Sequence, residues 1–164
     1  MIRKTAYMGI FLATALILSY VESLIPFYFG IPGAKLGLAN LAVLLALYRY
    51  GWKEALLLNI MRVLLAGFLF GSLFTILYSL AGAAASFAVM CILKRLGSFS
   101  VVGISMAGGV SHNLGQILVA YLVTQTPGVA FYLPILLAAG LITGLLIGMA
   151  AKEVLNLKGA FKNQ

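Results

Sequence analysis

Six apolar runs follow one another along this chain, and about 20 apolar residues are what a helix needs to cross a bilayer. The runs lie at about 5–25, 36–48, 54–70, 73–93, 101–123 and 129–151. Hydrophobic side chains make up 63% of the 164 residues and charged ones 9%, against about 25% charged in an ordinary soluble domain. No bundle in water could cover so much Leu, Ala, Ile, Val and Phe. The expected architecture is an all-α integral membrane protein, a six-transmembrane-helix bundle forming one domain over 1–164. It leaves no length for a soluble catalytic or nucleotide-binding domain.

The second run is short. It follows Phe27-Tyr28-Phe29-Gly30-Ile31-Pro32-Gly33, with Pro26 just before. Prolines and glycines at this density predict a structured loop or a broken helix. Arg3 and Lys4 precede an apolar run containing Ala13-Thr14-Ala15, but that run continues to Ile25, so the segment reads as an uncleaved first span.

The basic residues set the expected orientation. With both termini inside, the cytoplasmic segments hold Arg3, Lys4, Arg49, Lys53, Lys94, Arg95, Lys152, Lys158 and Lys162, nine of the eleven. The outer loops hold only Lys35, and Arg62 lies within the third span. This positive-inside bias predicts a multi-pass protein of the cell membrane. It also accounts for the net charge of +8 without nucleic acid, because the charge is spread over four short segments. Tyr48, Tyr50 and Trp52 would mark the inner interface, and Tyr20, Phe27, Tyr28, Phe131 and Tyr132 the outer one.

Acidic groups are few: Glu22, Glu54, Glu153 and the C-terminus, with no Asp. Aspartate-held magnesium and aspartyl nucleophiles are therefore excluded. One Cys (Cys91) and one His (His112) exclude a disulfide framework, and they cannot build a zinc site or a bis-His haem unaided. The expectation is a chain that is not an enzyme and carries no cofactor or metal.

Small residues recur at helical spacing. Gly140, Gly144 and Gly148 form one stripe, Gly108, Ser111 and Gly115 another, and Gly82, Ala85 and Ser86 a third; stripes of this kind predict close helix packing. Ala6, Gly9 and Ala13 in the first span either pack internally or form a groove for a second copy or a partner.

Polar groups within spans face the interior and need a partner or a function. Arg62 lies about 12 Å into the third span and His112 roughly 17 Å into the fifth, at 1.5 Å per residue. Asn59 and Arg62 share a helix face, as do His112 and Gln116, with Asn113 adjacent. Glu22, Lys35, Asn40, Arg62, His112, Asn113 and Gln116 all fall at mid-depth or in the outer half. If they converge, they line a polar cavity open to the outside, with Arg62 and Lys35 holding an anionic group and Phe27 to Phe29 as an apolar lid. The structural alternative is that Glu22 neutralises Arg62 or Lys35 and the amides satisfy a broken helix.

At these residues the chain resembles a known family. Lys35-Leu-Gly-Leu-Ala-Asn40, Met61-Arg62-Val63, Phe70-Gly71, Ser79-Leu-Ala-Gly82 and His112-Asn-Leu-Gly-Gln116 resemble heptaprenyl diphosphate synthase component I, also called the Gx transporter family, over nearly the whole length. Such small six-helix proteins are in turn similar, by architecture, to the substrate-binding S components of energy-coupling factor transporters. That resemblance implies capture of a small anionic or amphiphilic ligand from outside. It also implies docking, through the face bearing Ala6, Gly9 and Ala13, on a transmembrane coupling subunit driven by separate ATPases. Two alternatives stand beside it: a non-catalytic membrane accessory subunit of isoprenoid or quinone synthesis, and a membrane anchor of a flavin- or quinone-based redox complex.

Overall fold

A computed structural model describes residues 2–24 and 37–160, and within them every regular element is helical. The elements are α1 (Ile2–Leu24), α2 (Asn40–Arg49), α3 (Trp52–Phe70), α4 (Leu73–Leu96), α5 (Val101–Thr124), a 3-10 segment (Pro127–Tyr132) and α6 (Leu133–Ala160). Lys35 and the Phe27–Phe29 lid lie outside the described residues, as do Pro26, Tyr28 and Pro32.

Local chemistry sets the breaks. Ser72 and Ser100 cap α4 and α5, their hydroxyls accepting the Thr75 and Gly103 amides at 3.3 and 3.1 Å, which satisfies donors that a helix start leaves open. Gly51 (φ 102°) and Gly97 (φ 71°) turn the chain where a side chain would be strained. The short breaks at 71–72 and 97–100 make α3, α4 and α5 antiparallel neighbours in sequence.

Three helical segments are long and apolar enough to cross a membrane: Thr5–Leu24, Leu73–Leu96 and Leu133–Leu157. The expected second span is shorter than a crossing. Of 36–48, the structure makes helix only from Asn40 to Arg49, ten residues, about 15 Å at 1.5 Å per residue and half of a ~30 Å hydrocarbon layer. The sixth run also starts later than expected. Residues 127–132 form a 3-10 segment, and α6 begins at Leu133, with Pro134 in its first turn, where a missing N–H costs little.

The core lies around the short helix. Ala42, Val43, Leu44, Ala46 and Leu47 of α2 are buried and join Ala15, Leu58, Phe87, Met90, Ile104 and Ile147 in one cluster. α5 packs most extensively against α4 and α6, and glycine makes this close approach feasible. A Cβ on Gly144 would stand 2.7 Å from Met106 Cα, one on Gly148 2.8 Å from Val102 Cα, and one on Gly115 2.7 Å from the Ala81 carbonyl. The three stripes in α4, α5 and α6 are thus internal contacts, as expected. The stripe in α1 is not. Ala6, Gly9 and Ala13 are all exposed, and a Cβ on Gly9 would meet nothing within 4 Å. The internal-packing option for that face is overturned, because α1 turns Ala15 and Glu22 inward instead.

Among the described residues, Arg49, Lys53, Lys94, Arg95 and Lys152 lie towards one end of the bundle. Lys94 at the end of α4 donates to the Leu47 carbonyl at 2.6 Å and sits 4.8 Å over the Tyr48 ring. Arg49, Lys53 and Arg95 lie within a few residues of this contact, and Lys152 follows Gly148, which packs on the start of α5. Tyr50 meets Phe11 edge to face at 5.7 Å on the same side. Towards the other end of α1, Tyr20 meets Phe70 at 5.2 Å.

The candidate functional site

Polar groups of five helices meet beside the α2 core. Arg62, at the middle of α3, is 8% exposed. Its Nε donates to Asn59 Oδ1 at 3.1 Å and its Nη2 to Asn40 Oδ1 at 2.6 Å. Asn59 Nδ2 donates to the Ala83 carbonyl of α4 at 3.3 Å. A carbonyl only accepts and a guanidinium only donates, so these neighbours fix which way the Asn59 amide points. Two amides thus hold the cation by its edge, and a buried charge without such partners would be costly.

Glu22, near the end of α1, accepts the Gly37 N–H. Gly37 has φ +74°, a left-handed conformation that a side chain would strain. Its carbonyl accepts the Asn40 N–H at 2.8 Å. Glu22, Gly37, Asn40, Arg62 and His112 line one cavity with Ser19, Thr75 and Ser79.

A second cavity adjoins it. Gly37, Asn40 and His112 line both, and Asn113, Ser86, Ser105 and Thr143 line the second. The volumes are ≈ 30 and ≈ 20 Å³, room for a water molecule or two in each and far less than an organic ligand fills.

The structure therefore brings Glu22, Asn40, Arg62 and His112 to one cavity. It sets Asn113 at the neighbouring one, where its Nδ2 donates to the Leu136 carbonyl of α6 at 2.6 Å. Gln116 is buried but lines neither cavity; it lies against Gly82, where a Cβ would stand 2.9 Å from its Cγ and from His112 Cε1. Lys35 lies outside the described residues. Sequence reasoning placed Asn59 on the Arg62 face without making it a site residue, and it missed the Gly37 amide and the hydroxyls of Ser19, Thr75 and Ser79. Glycine between Leu36 and Leu38 was the available signal for the first. Lone hydroxyls in apolar helices were the signal for the rest. Among the described residues no three His, Cys or Glu side chains gather to hold a metal.

The arrangement sets the Arg62 cation, the Asn40 amide and a Glu22 carboxylate that already holds the Gly37 N–H around one small space, which has room for ordered water.

Among the comparisons with known proteins, a family model described as heptaprenyl diphosphate synthase component I matches residues 11–154. No curated protein and no solved structure matches the chain. The match runs from the third turn of α1 to the last turns of α6 and includes every residue of the Arg62 cluster. The chain belongs to the heptaprenyl diphosphate synthase component I family.

Proposed function

We propose that this chain is a non-catalytic membrane subunit of isoprenoid diphosphate synthesis, working with a separate soluble enzyme. The family match over residues 11–154 carries this reading. Prenyl-chain elongation needs carboxylates to hold magnesium against the diphosphate, and a chain with no Asp and three Glu cannot supply a cluster of them. The elongating enzyme must then be a partner. Its product has a long apolar tail, which a membrane subunit is placed to receive. The subunit sits in the cell membrane with both termini inside, since the end rich in Arg49, Lys53, Lys94 and Arg95 is the cytoplasmic one by the positive-inside rule. In this arrangement α2 (Asn40–Arg49) belongs to the second of six crossings.

The test is co-purification. The tagged chain, extracted in mild detergent, should bring down an Asp-rich prenyl synthase in stoichiometric amount. Isolation without it, under conditions that preserve the helical fold, would refute the partnership.

A second reading is favoured by the buried Arg62 cluster: the chain captures an anionic or amphiphilic ligand from outside, as an S-component-like subunit of a transporter. Glu22, Lys35, Asn40, Arg62, His112, Asn113 and Gln116 would serve the ligand, Lys35 lying outside the described residues. The exposed Ala6, Gly9 and Ala13 face of α1 would dock a transmembrane coupling subunit with its ATPases. Mass spectrometry of small molecules retained through purification, repeated on R62A, tests it. A ligand held by wild type and lost from R62A supports the site, whereas equal retention removes Arg62 from it.

A further inference from the structure

Glu22 is the one acidic side chain among the described residues that lines the Arg62 cavity. Its carboxylate accepts the Gly37 N–H, fifteen residues away in the chain and three before α2. It also faces the cavity that Arg62 lines. Arg62 engages Asn40 and Asn59 through Nη2 and Nε, two of the five N–H donors a guanidinium carries. Among the described residues its other donors take no hydrogen bond. A guanidinium fork with donors to spare, beside a backbone N–H, matches the geometry of a phosphate or carboxylate. Glu22 lines the same cavity, whose ≈ 30 Å³ is too small for a phosphate bearing an organic tail.

We propose that Glu22 is a built-in competitor: its carboxylate holds the anion seat between the Gly37 amide and Arg62, and the phosphate end of an amphiphile binds by displacing it. This rests on the ligand-binding reading of the same cluster. Displacement explains how a nearly filled cavity accepts a ligand. It also joins binding to movement, because releasing Glu22 unfastens α1 from the segment that leads into α2.

A change of charge alone would alter anion affinity, so the informative variant keeps the charge and loses the reach. E22D retains a carboxylate one methylene shorter. Purified wild type, E22D and R62Q are titrated calorimetrically with geranyl diphosphate and, separately, with inorganic pyrophosphate. Displacement predicts that E22D binds about tenfold more tightly than wild type, since a charge-assisted hydrogen bond no longer opposes the ligand, and that R62Q loses binding. A shift seen with both probes assigns the seat to the phosphate group itself, and one seen only with geranyl diphosphate assigns it to a phosphate carried on an apolar tail. Wild-type binding with E22D unchanged or weaker overturns the competitor role and leaves the ligand-binding reading standing. No binding of either probe by wild type or E22D overturns both.

A second measurement reads the carboxylate directly. The chain has only three Glu and no Asp, so infrared difference spectra on adding ligand to wild type resolve few carboxylates. The competitor role requires a carboxylate band that shifts with ligand and is missing in E22Q. A spectrum with no carboxylate change would refute it.

Discussion

Arg62 Nη2 lies 2.6 Å from Asn40 Oδ1, and through this bond the middle of α3 fixes the first residue of a helix half the usual spanning length. α2 has no side-chain cap of its own. Its start is held from outside, by Arg62 at Asn40 and by the Asn40 amide on Gly37. N40L should therefore destabilise the protein by about 2 kcal/mol, the usual penalty for leaving a buried charged donor without its acceptor. N40D keeps an acceptor facing the cation and should lose less. Thermal unfolding in detergent reads both, and equal loss from the two would show that shape rather than hydrogen bonding matters at Asn40.

Replacing Arg62 by Lys should not rescue it. One ammonium cannot hold the edge-on geometry of a guanidinium bonded to Asn59 and Asn40 together. R62K is expected to unfold at a temperature close to that of R62Q. Wild-type stability in R62K would mean that charge alone suffices.

The glycine contacts give a paired prediction. A side chain on Gly144 would run into the α5 backbone at Met106, and overpacking of this kind costs about 1–3 kcal/mol. G144V should separate α5 from α6 and lower the unfolding temperature. G9A on the open face of α1 meets no atom and should be neutral or slightly stabilising through helix propensity. A destabilising G9A in the purified single chain would indicate that this face is covered.

Lys94 closes the other end of α2 by donating to the Leu47 carbonyl, an orphan acceptor at a helix C-terminus where a cation is favoured. K94M keeps most of the apolar stem and removes the donor. It should cost about 1 kcal/mol and loosen α2, read as faster hydrogen exchange at residues 46–50. Unchanged exchange there would contradict the capping role.

Much of this fold was legible in the sequence because membrane helices carry their length and polarity on the surface of the chain. The runs at 73–93 and 101–123 became α4 and α5 within three residues at every end, and the Gly140, Gly144 and Gly148 stripe packed where its spacing implied. The second run was less readable. Apolarity is the same for a buried half-helix as for a lipid-facing span, so Leu44 and Leu47 could not reveal that α2 is wrapped by protein. Depth put Glu22, Asn40, Arg62 and His112 at a similar level and left their convergence conditional, and the shared cavity came from how the helices pack. The Gly37 amide was not legible, because a backbone donor leaves no mark on the sequence beyond a glycine. Asn113 and Gln116 show the limit from the other side: helical spacing put them near His112, and the contacts with Leu136 and Gly82 were set by neighbouring helices.

The proposed role in isoprenoid synthesis is tested most directly by assaying prenyl diphosphate synthase activity in membranes from cells with and without this chain. Deletion should remove the membrane-associated activity, re-expression should restore it, and the purified chain should have none by itself. Full membrane-bound activity in the deletion strain would contradict the account.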